Sequence, residues 1–410
     1  MASSSTSRSP SPPPPLPPWL ILSRVSLVWY DDDDPEDPHF EYIAGPPRIS
    51  VLALPTGFHP SRSRGGADRH PYVLAAGDAG ILLHVSRAPS IGFDLAARYP
   101  PGVLVMLRDF IPVDAAAGCD TRTAIATAVR VPDRATHAQP CVANIKHVGL
   151  VSLPGSDAYV IAELRLLEDR GRASLLSFYS GAGAWVEREA TCPNMAGRCW
   201  RRQIDDVISN DGKLWWVNLA FGLLGWDPLA DNQLAVLHHV DLPGAFAVED
   251  GAPPQPPEHP EHHRMVRASH RKVMFVNMIR TRDEPPEATL VAVWTLASVE
   301  HGAASWRQRC VTSLAEIWAK DSYRRTGMPE QVPVLALLHP ANPDVVYFFL
   351  ENYLFGIDVK GSEVVDFVDE HYSLHVMVMG PPPPPPISWR HVLAWMLPPS
   401  LHHEDVVKVR

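Results

Sequence analysis

Cysteine is scarce in this chain of 410 residues. The five present, Cys119, Cys141, Cys192, Cys199 and Cys310, are odd in number, scattered and free of any Cys-x-x-Cys pair, which excludes a disulfide framework and reads as reduced thiols. Cys192 and Cys199 stand too far apart for a zinc-knuckle arm, and no histidine pair follows at finger spacing. None of the eight asparagines sits in an Asn-x-Ser/Thr acceptor, which fits a protein that stays out of the secretory pathway. Long apolar runs are also missing. The stretch Trp19 to Tyr30 is too short to span a bilayer and carries Arg24, so it is neither a signal-peptide core nor a membrane helix, and a soluble chain is expected. Cationic excess is missing too: a net charge of −10 and a pI near 6.0 argue against a general phosphate-backbone binder. A P-loop, a Gly-x-Ser-x-Gly elbow, a His-Glu-x-x-His helix and a strand-linked Gly-x-Gly-x-x-Gly are all absent, which removes the commonest nucleotide and hydrolase chemistries.

Proline and tryptophan are abundant instead. The 43 prolines are about twice the usual share and disfavour long helices, because each removes a backbone donor and crowds the preceding turn. Apolar runs of five to eight residues, rich in Val, Leu and aromatics and bounded by Gly, Pro, Asp or Asn, read as strands. Tyr72 to Ala76 and Ile81 to Val85 flank the turn 77–80 as a hairpin. Val345 to Leu350, Tyr353 to Val359 and Glu363 to Val368 form a three-strand meander with turns at Glu351-Asn352 and Lys360-Gly361. Leu175 to Trp185 and Val291 to Trp306 share a pattern: a strand with an aromatic near its end, a Gly-bearing turn, then a small residue and Trp opening the next strand. Such a unit cannot bury its faces alone, so its repetition predicts an all-β, β-propeller-like ring of short antiparallel strands. A β-sandwich is the alternative, although roughly two dozen strands exceed what one sandwich holds. Helices are few: Ser313 to Lys320, with Ser313 as N-cap and Glu316 at the capping-box position, and Arg201 to Ile208.

The expected organisation is a disordered Ser/Pro-rich tail over 1–18, a propeller-like domain over 19–380 with a Pro/His-rich loop at 251–263, and a polyproline run with a tail over 381–410. Met1 to Pro15 lacks acidic residues and carries Arg8, as a transit peptide would. Strand-like sequence from Trp19 leaves it little room, so the expected location is intracellular, cytoplasmic or nuclear, with the chloroplast as the lesser alternative.

No residue pattern assigns a catalytic, cofactor or metal site. His259, Glu261, His262 and His263 gather imidazoles and a carboxylate, but without Pro-Cys-x-x-Cys they read as adventitious metal affinity in a loop. The acidic run Asp31 to Asp34 with Glu36 and Asp37 lacks EF-hand spacing and reads as a solvated turn. The pairs His238-His239 and His402-His403 point to opposite faces if they lie on strands, so neither pair chelates one ion. Arg264, Arg267, Arg271, Lys272, Arg280 and Arg282 form the one cationic stretch, read as flanks of a solvated strand; a nucleic-acid surface would need them to share a face. The segment Asn210 to Asp231 is the most distinctive. Trp215, Trp216 and Asn218 there are either lining a ligand cup or, as adjacent blade strands require, packing one Trp inward and one against the next blade.

The run Leu-Trp-Trp-Val-Asn-Leu-Ala-Phe-Gly-Leu-Leu-Gly-Trp-Asp-Pro, Leu214 to Pro228, resembles the signature of the plant family called domain of unknown function 1618, abundant in grasses. The opening Pro18 to Leu22 followed by an acidic stretch is similar to that family's start. Asn218 and Trp226 stand where members often carry Asp and a smaller residue. The resemblance implies no activity. The segment is more loosely similar to F-box-associated plant propellers, whose strand ending is echoed by Phe355 to Asp358, with no evident F-box. Together these readings favour a non-enzymatic protein-protein interaction module with another protein as partner and no cofactor. The alternatives are a propeller enzyme or carbohydrate-binding protein with its site at the channel mouth, and a nucleic-acid binder through 264–282.

Overall fold

In a computed structural model of the chain, strands that read as continuous apolar runs are buried on both faces: every residue of Ile49–Leu54 and of Val345–Leu350 is buried. That is the signature of sheets stacked face to face, in which alternate side chains pack against different neighbours. The structure describes residues 17–28, 37–43, 45–55, 58, 71–86, 102–113, 123–134, 142–166, 173–191, 204–230, 234–243, 259–280, 284–300, 303–351, 353–368 and 389–401. The tail 1–16, the acidic run 31–36, residues 251–258, the polyproline run, His402-His403, Arg282 and four of the cysteines lie outside them.

Among the described residues the strands form six blades. Five are built mainly from consecutive strands, blade three adding the short strand Ala235–Val236 from within blade four's segment, and begin on the inside with Tyr72–Gly77 (blade two), Val148–Ser152 (three), Asp206–Asn210 (four), Arg264–Ser269 (five) and Val334–Leu338 (six). The first blade is built from distant pieces: Val392–Met396 is innermost, then Trp19–Ser23, Ile49–Leu54 and His39–Tyr42. Each innermost strand touches the next around the circle, Val392–Met396 against both Tyr72–Gly77 and Val334–Leu338, so the ring is closed. The all-β, propeller-like expectation holds, and the ring takes in residues beyond 380. Antiparallel pairing has exceptions. Trp19–Ser23 and Leu27–Val28 both run parallel to Ile49–Leu54, because the antiparallel neighbour of Trp19–Ser23 is the strand Val392–Met396 on its other side.

The hairpin Tyr72–Gly77/Gly80–Ser86 and the meander Val345–Leu350, Tyr353–Asp358, Glu363–Phe367 form as expected. Glu351 and Ser362, rather than Gly361, supply the positive φ at the meander's turns (53° and 57°). Leu314–Trp318 is a helix with Ser313 and Glu316 closing a reciprocal capping box, as predicted. The helix expected over Arg201 to Ile208 is corrected: Asp206–Asn210 is a strand, with Val207 packing toward blade three and Ile208 toward blade five, a period-2 burial that no helix could satisfy.

Between blades the core divides into interfaces, and tryptophan ties them. Trp216 packs with Leu214 and Trp226 against blade three, whereas Trp215 faces the opposite way toward blade five. Gly225 lies against the Trp215 ring so closely that a Cβ there would meet it at 2.5 Å. Five indole N–H groups donate to a backbone carbonyl of another blade or its flanking segment: Trp395 to Gly77 (3.2 Å), Trp185 to Pro132 (2.7 Å), Trp216 to His147 (2.8 Å), Trp306 to Asp241 (2.7 Å) and Trp389 to Arg264 (3.2 Å). Each anchors a large apolar body with one satisfied polar atom, which is how a buried Trp avoids an orphaned donor. Trp185 and Trp306 are the two residues that carry the internal similarity in sequence, and they both lie on the fourth strand outward from the axis, in blades three and five.

Candidate functional site

Charged residues from several blades come together at the axis of the ring. Arg24 follows Trp19–Ser23 at the point where the chain leaves blade one: its N–H donates to His391 O (2.9 Å) and its carbonyl accepts from Val73 N (2.7 Å). Its guanidinium turns inward, donating to Leu74 O (3.1 Å) and lying 3.7 Å from Asp206 Oδ1. Asp206 opens the inner strand of blade four and also accepts from Arg267 Nη1, in the inner strand of blade five. The adjacent Asp205 accepts from Leu219 N (2.8 Å) and pairs with Arg390 Nη2 (3.5 Å), just ahead of the inner strand of blade one. Arg390 O in turn accepts from the Tyr72 hydroxyl of blade two (2.8 Å). The Trp389 ring carries two of the cations on its faces, with Arg267 at 4.6 Å and Arg390 at 5.5 Å from its centroid. Blade three contributes Lys146 and Val148 to the wall of a small cavity that Arg24, Tyr72, Asp206 and Trp389 also line.

Electrostatically this is a network of mutual neutralisation. Burial lowers Arg267 below the usual arginine range, and Asp206 opposes that shift. Burial raises the Tyr72 hydroxyl, keeping it protonated as a hydrogen-bond donor. Both aspartates are engaged by guanidinium groups from other blades, so the arrangement ties blades together rather than presenting a free acid and base. Two buried N–H groups, Arg24 Nε and Arg267 Nη2, have no partner among the described residues and would donate to a water or a small polar guest.

Beside this network lies a second cluster. Pro260–His263 forms one turn of helix immediately before the inner strand of blade five, so His259 to His263 are ordered rather than part of a loose loop. Donor atoms of His259, Glu261 and His262 lie within 4.8 Å of one another, His259 Nδ1 is 3.5 Å from Glu261 Oε1, and the His259 and His262 rings stack at 5.2 Å. Arg390 Nη1 approaches Glu261 to 3.9 Å and so links both clusters.

The other sequence candidates separate. Asn218 caps its own turn, accepting from Ala220 N (2.9 Å) and Phe221 N (3.1 Å), and Trp215 and Trp216 are core, so no ligand cup forms there. The cationic stretch is split: Arg267 is at the axis, Arg264 donates to Leu219 O (3.0 Å), and Arg271 and Arg280 lie at opposite ends of Lys272–Ile279. His238 is exposed while the His239 side chain is buried, as alternation on a strand requires. Burial and then the charge of Asp344 push the Cys310 thiol up to about 12, away from the thiolate form. The axial network escaped sequence reasoning because its members come from separate blades; the one local signal was charge interrupting strand-like runs, as Arg24 does.

No curated protein matches this chain. Among solved structures, Porphyromonas gingivalis dipeptidyl peptidase 4 is similar at 9% identity and a TM-score of 0.25, over 79% of this chain and 62% of that one. A dipeptidyl aminopeptidase IV candidate from Bacteroides ovatus is similar at 8% identity and a TM-score of 0.18, over 73% and 50%. This chain thus spans less than two thirds of either relative, and at TM-scores this low neither likeness bears on its fold or function. Among the described residues no helix is long and apolar enough to cross a membrane. Residues 216–347, from the second strand of blade four through the second strand of blade six, match the family described as Protein of unknown function (DUF1618).

Proposed function

We propose that the protein is a non-enzymatic interaction module, a ring that presents an outer surface to another protein. The observation that carries this reading is an exposed aliphatic pair on ordered strands. Ile111 and Ile125 are direct cross-strand partners on the two outer strands of blade two, 63% and 37% exposed, with Val129 (46%) on the same strand face as Ile125. Aliphatic side chains held in register on a rigid sheet and left to water are what a docking partner would cover. The axial carboxylates, taken up by arginines, support the same reading, since they are not poised for acid-base work. The partner is sought in the cytoplasm or nucleus of a plant cell.

The test is affinity capture of the tagged full chain from plant extract, with cross-linking to map contacts, beside an Ile111→Asp/Ile125→Asp variant. Cross-links at blade two and loss of the partner at unchanged melting temperature are expected. Absence of any specific partner, together with turnover of a small molecule by the purified chain, overturns the reading. The small cavity at the axis favours a second reading, a small polar ligand held by Tyr72, Trp389 and the unpartnered guanidinium N–H groups; saturable binding abolished by Arg267→Met would support it.

A further inference from the structure

We propose that His259, Glu261 and His262 form a binding site for a zinc-class divalent cation beside the axial network. The ligand set is two imidazoles and one carboxylate, the donor chemistry that suits zinc and its first-row neighbours rather than magnesium or calcium. The local fold brings it together. His259 and His262 are three residues apart across the start of a helical turn, so their rings lie one above the other, and a donor oxygen of Glu261 lies within 4.8 Å of a nitrogen of each.

The distances are close to those of a formed site. Metal-ligand bonds of about 2.1 Å in tetrahedral geometry place neighbouring donor atoms about 3.4 Å apart. His259 Nδ1 and Glu261 Oε1 already stand at 3.5 Å, and the widest separation in the triad, within 4.8 Å, closes by a side-chain rotation. Arg390 is the competitor, holding Glu261 at 3.9 Å, and cation binding exchanges that pairing for a coordinate bond. The helical turn touches the inner strands of blades five and six and the segment Trp389–His391, so an ion here would clamp the point where the ring closes. Three protein ligands leave a four-coordinate ion one further position, free for water or a donor from another molecule.

The experiment titrates the full chain, stripped of metal by a chelator, with Co²⁺ as a spectroscopic probe and then displaces it with Zn²⁺. One equivalent of Co²⁺ with intense tetrahedral visible absorption, bleached by Zn²⁺, is expected. His259→Ala, His262→Ala and Glu261→Gln are each expected to weaken binding at least about tenfold, whereas the exposed His238→Ala leaves it unchanged. Circular dichroism of the metal-free proteins checks that each variant is folded, and Zn²⁺ should raise the melting temperature of the wild type but not of His262→Ala. No tetrahedral band, or equal affinity in all four variants and the wild type, overturns the proposal.

Discussion

Replacing Asp206 by Asn removes the one carboxylate that faces both Arg24 and Arg267, and should be among the most damaging single-atom changes in the molecule. The three side chains are 10%, 11% and 13% exposed for Arg24, Asp206 and Arg267, so solvent screening is slight. Asn keeps the shape and can still accept one hydrogen bond, but two buried cations then share a site without their common counter-charge. Breaking one member of a buried ion pair costs about 3–5 kcal/mol, chiefly as the penalty of the charge left behind. With an unfolding entropy of about 2.1 cal/mol/K per residue, a chain of 410 residues loses about 4–6 °C of melting temperature for that cost. The control is Asp211→Asn: Asp211 pairs with Arg271 at 2.8 Å, but with side chains 63% and 85% exposed, and its loss should cost less than about 0.5 kcal/mol. Differential scanning calorimetry of both variants at pH 7 reads the difference. Equal shifts for the two would refute the reasoning, because the axial network would then be as hydrated as the surface.

Two further outcomes follow from geometry. His147 is buried with Nδ1 at 3.0 Å from Leu164 O and Nε2 at 3.1 Å from Asn144 Nδ2, so the neutral ring donates from Nδ1 and accepts at Nε2. Burial lowers it to about 4, and His84 likewise, so below pH 6.5 the unfolded chain binds protons that the folded one refuses. Stability should therefore fall between pH 6.5 and 4 by up to about 3 kcal/mol per histidine; denaturant midpoints across that range should show a shallower fall in His147→Gln. Gly225→Ala should destabilise by about 1–3 kcal/mol, because its Cβ would sit 2.5 Å from the Trp215 ring; a melting temperature equal to wild type would show that the ring can move aside.

What the sequence disclosed and what it withheld follow a physical line. Features that depend on neighbours in the chain were legible: the Tyr72 hairpin, the capping box of Ser313 and Glu316, the alternation that sends Trp215 and Trp216 to opposite blades. Arg201 to Ile208 misled because a short segment with polar residues at helical spacing fits a helix as well as an edge of sheet, and only the two blades packing on Val207 and Ile208 decide it. Arg267 looked like one of six surface cations, and its true partner, Asp206, lies 61 positions away on another blade. Clusters assembled across blades leave no spacing to read. The histidine turn is the converse case: its residues were visible as neighbours, but their convergence depends on Pro260 starting a helix rather than continuing a loop.

The strand Val392–Met396, pairing with Trp19–Ser23, bears on how this molecule comes into being. Blades two, four, five and six need no strand from a distant part of the chain, and blade three borrows only the short strand Ala235–Val236 from within blade four's segment. Blade one does need one, since its two inner strands, Trp19–Ser23 and Val392–Met396, are separated by all the strands of the other five blades, the costliest loop the fold must close. Until then Arg390 is absent from Asp205, Trp395 from Gly77, and blades two and six each keep a bare face. Closure of the ring therefore waits on Val392–Met396, and a chain whose later strand has yet to pair has no innermost blade-one strand to join blades two and six.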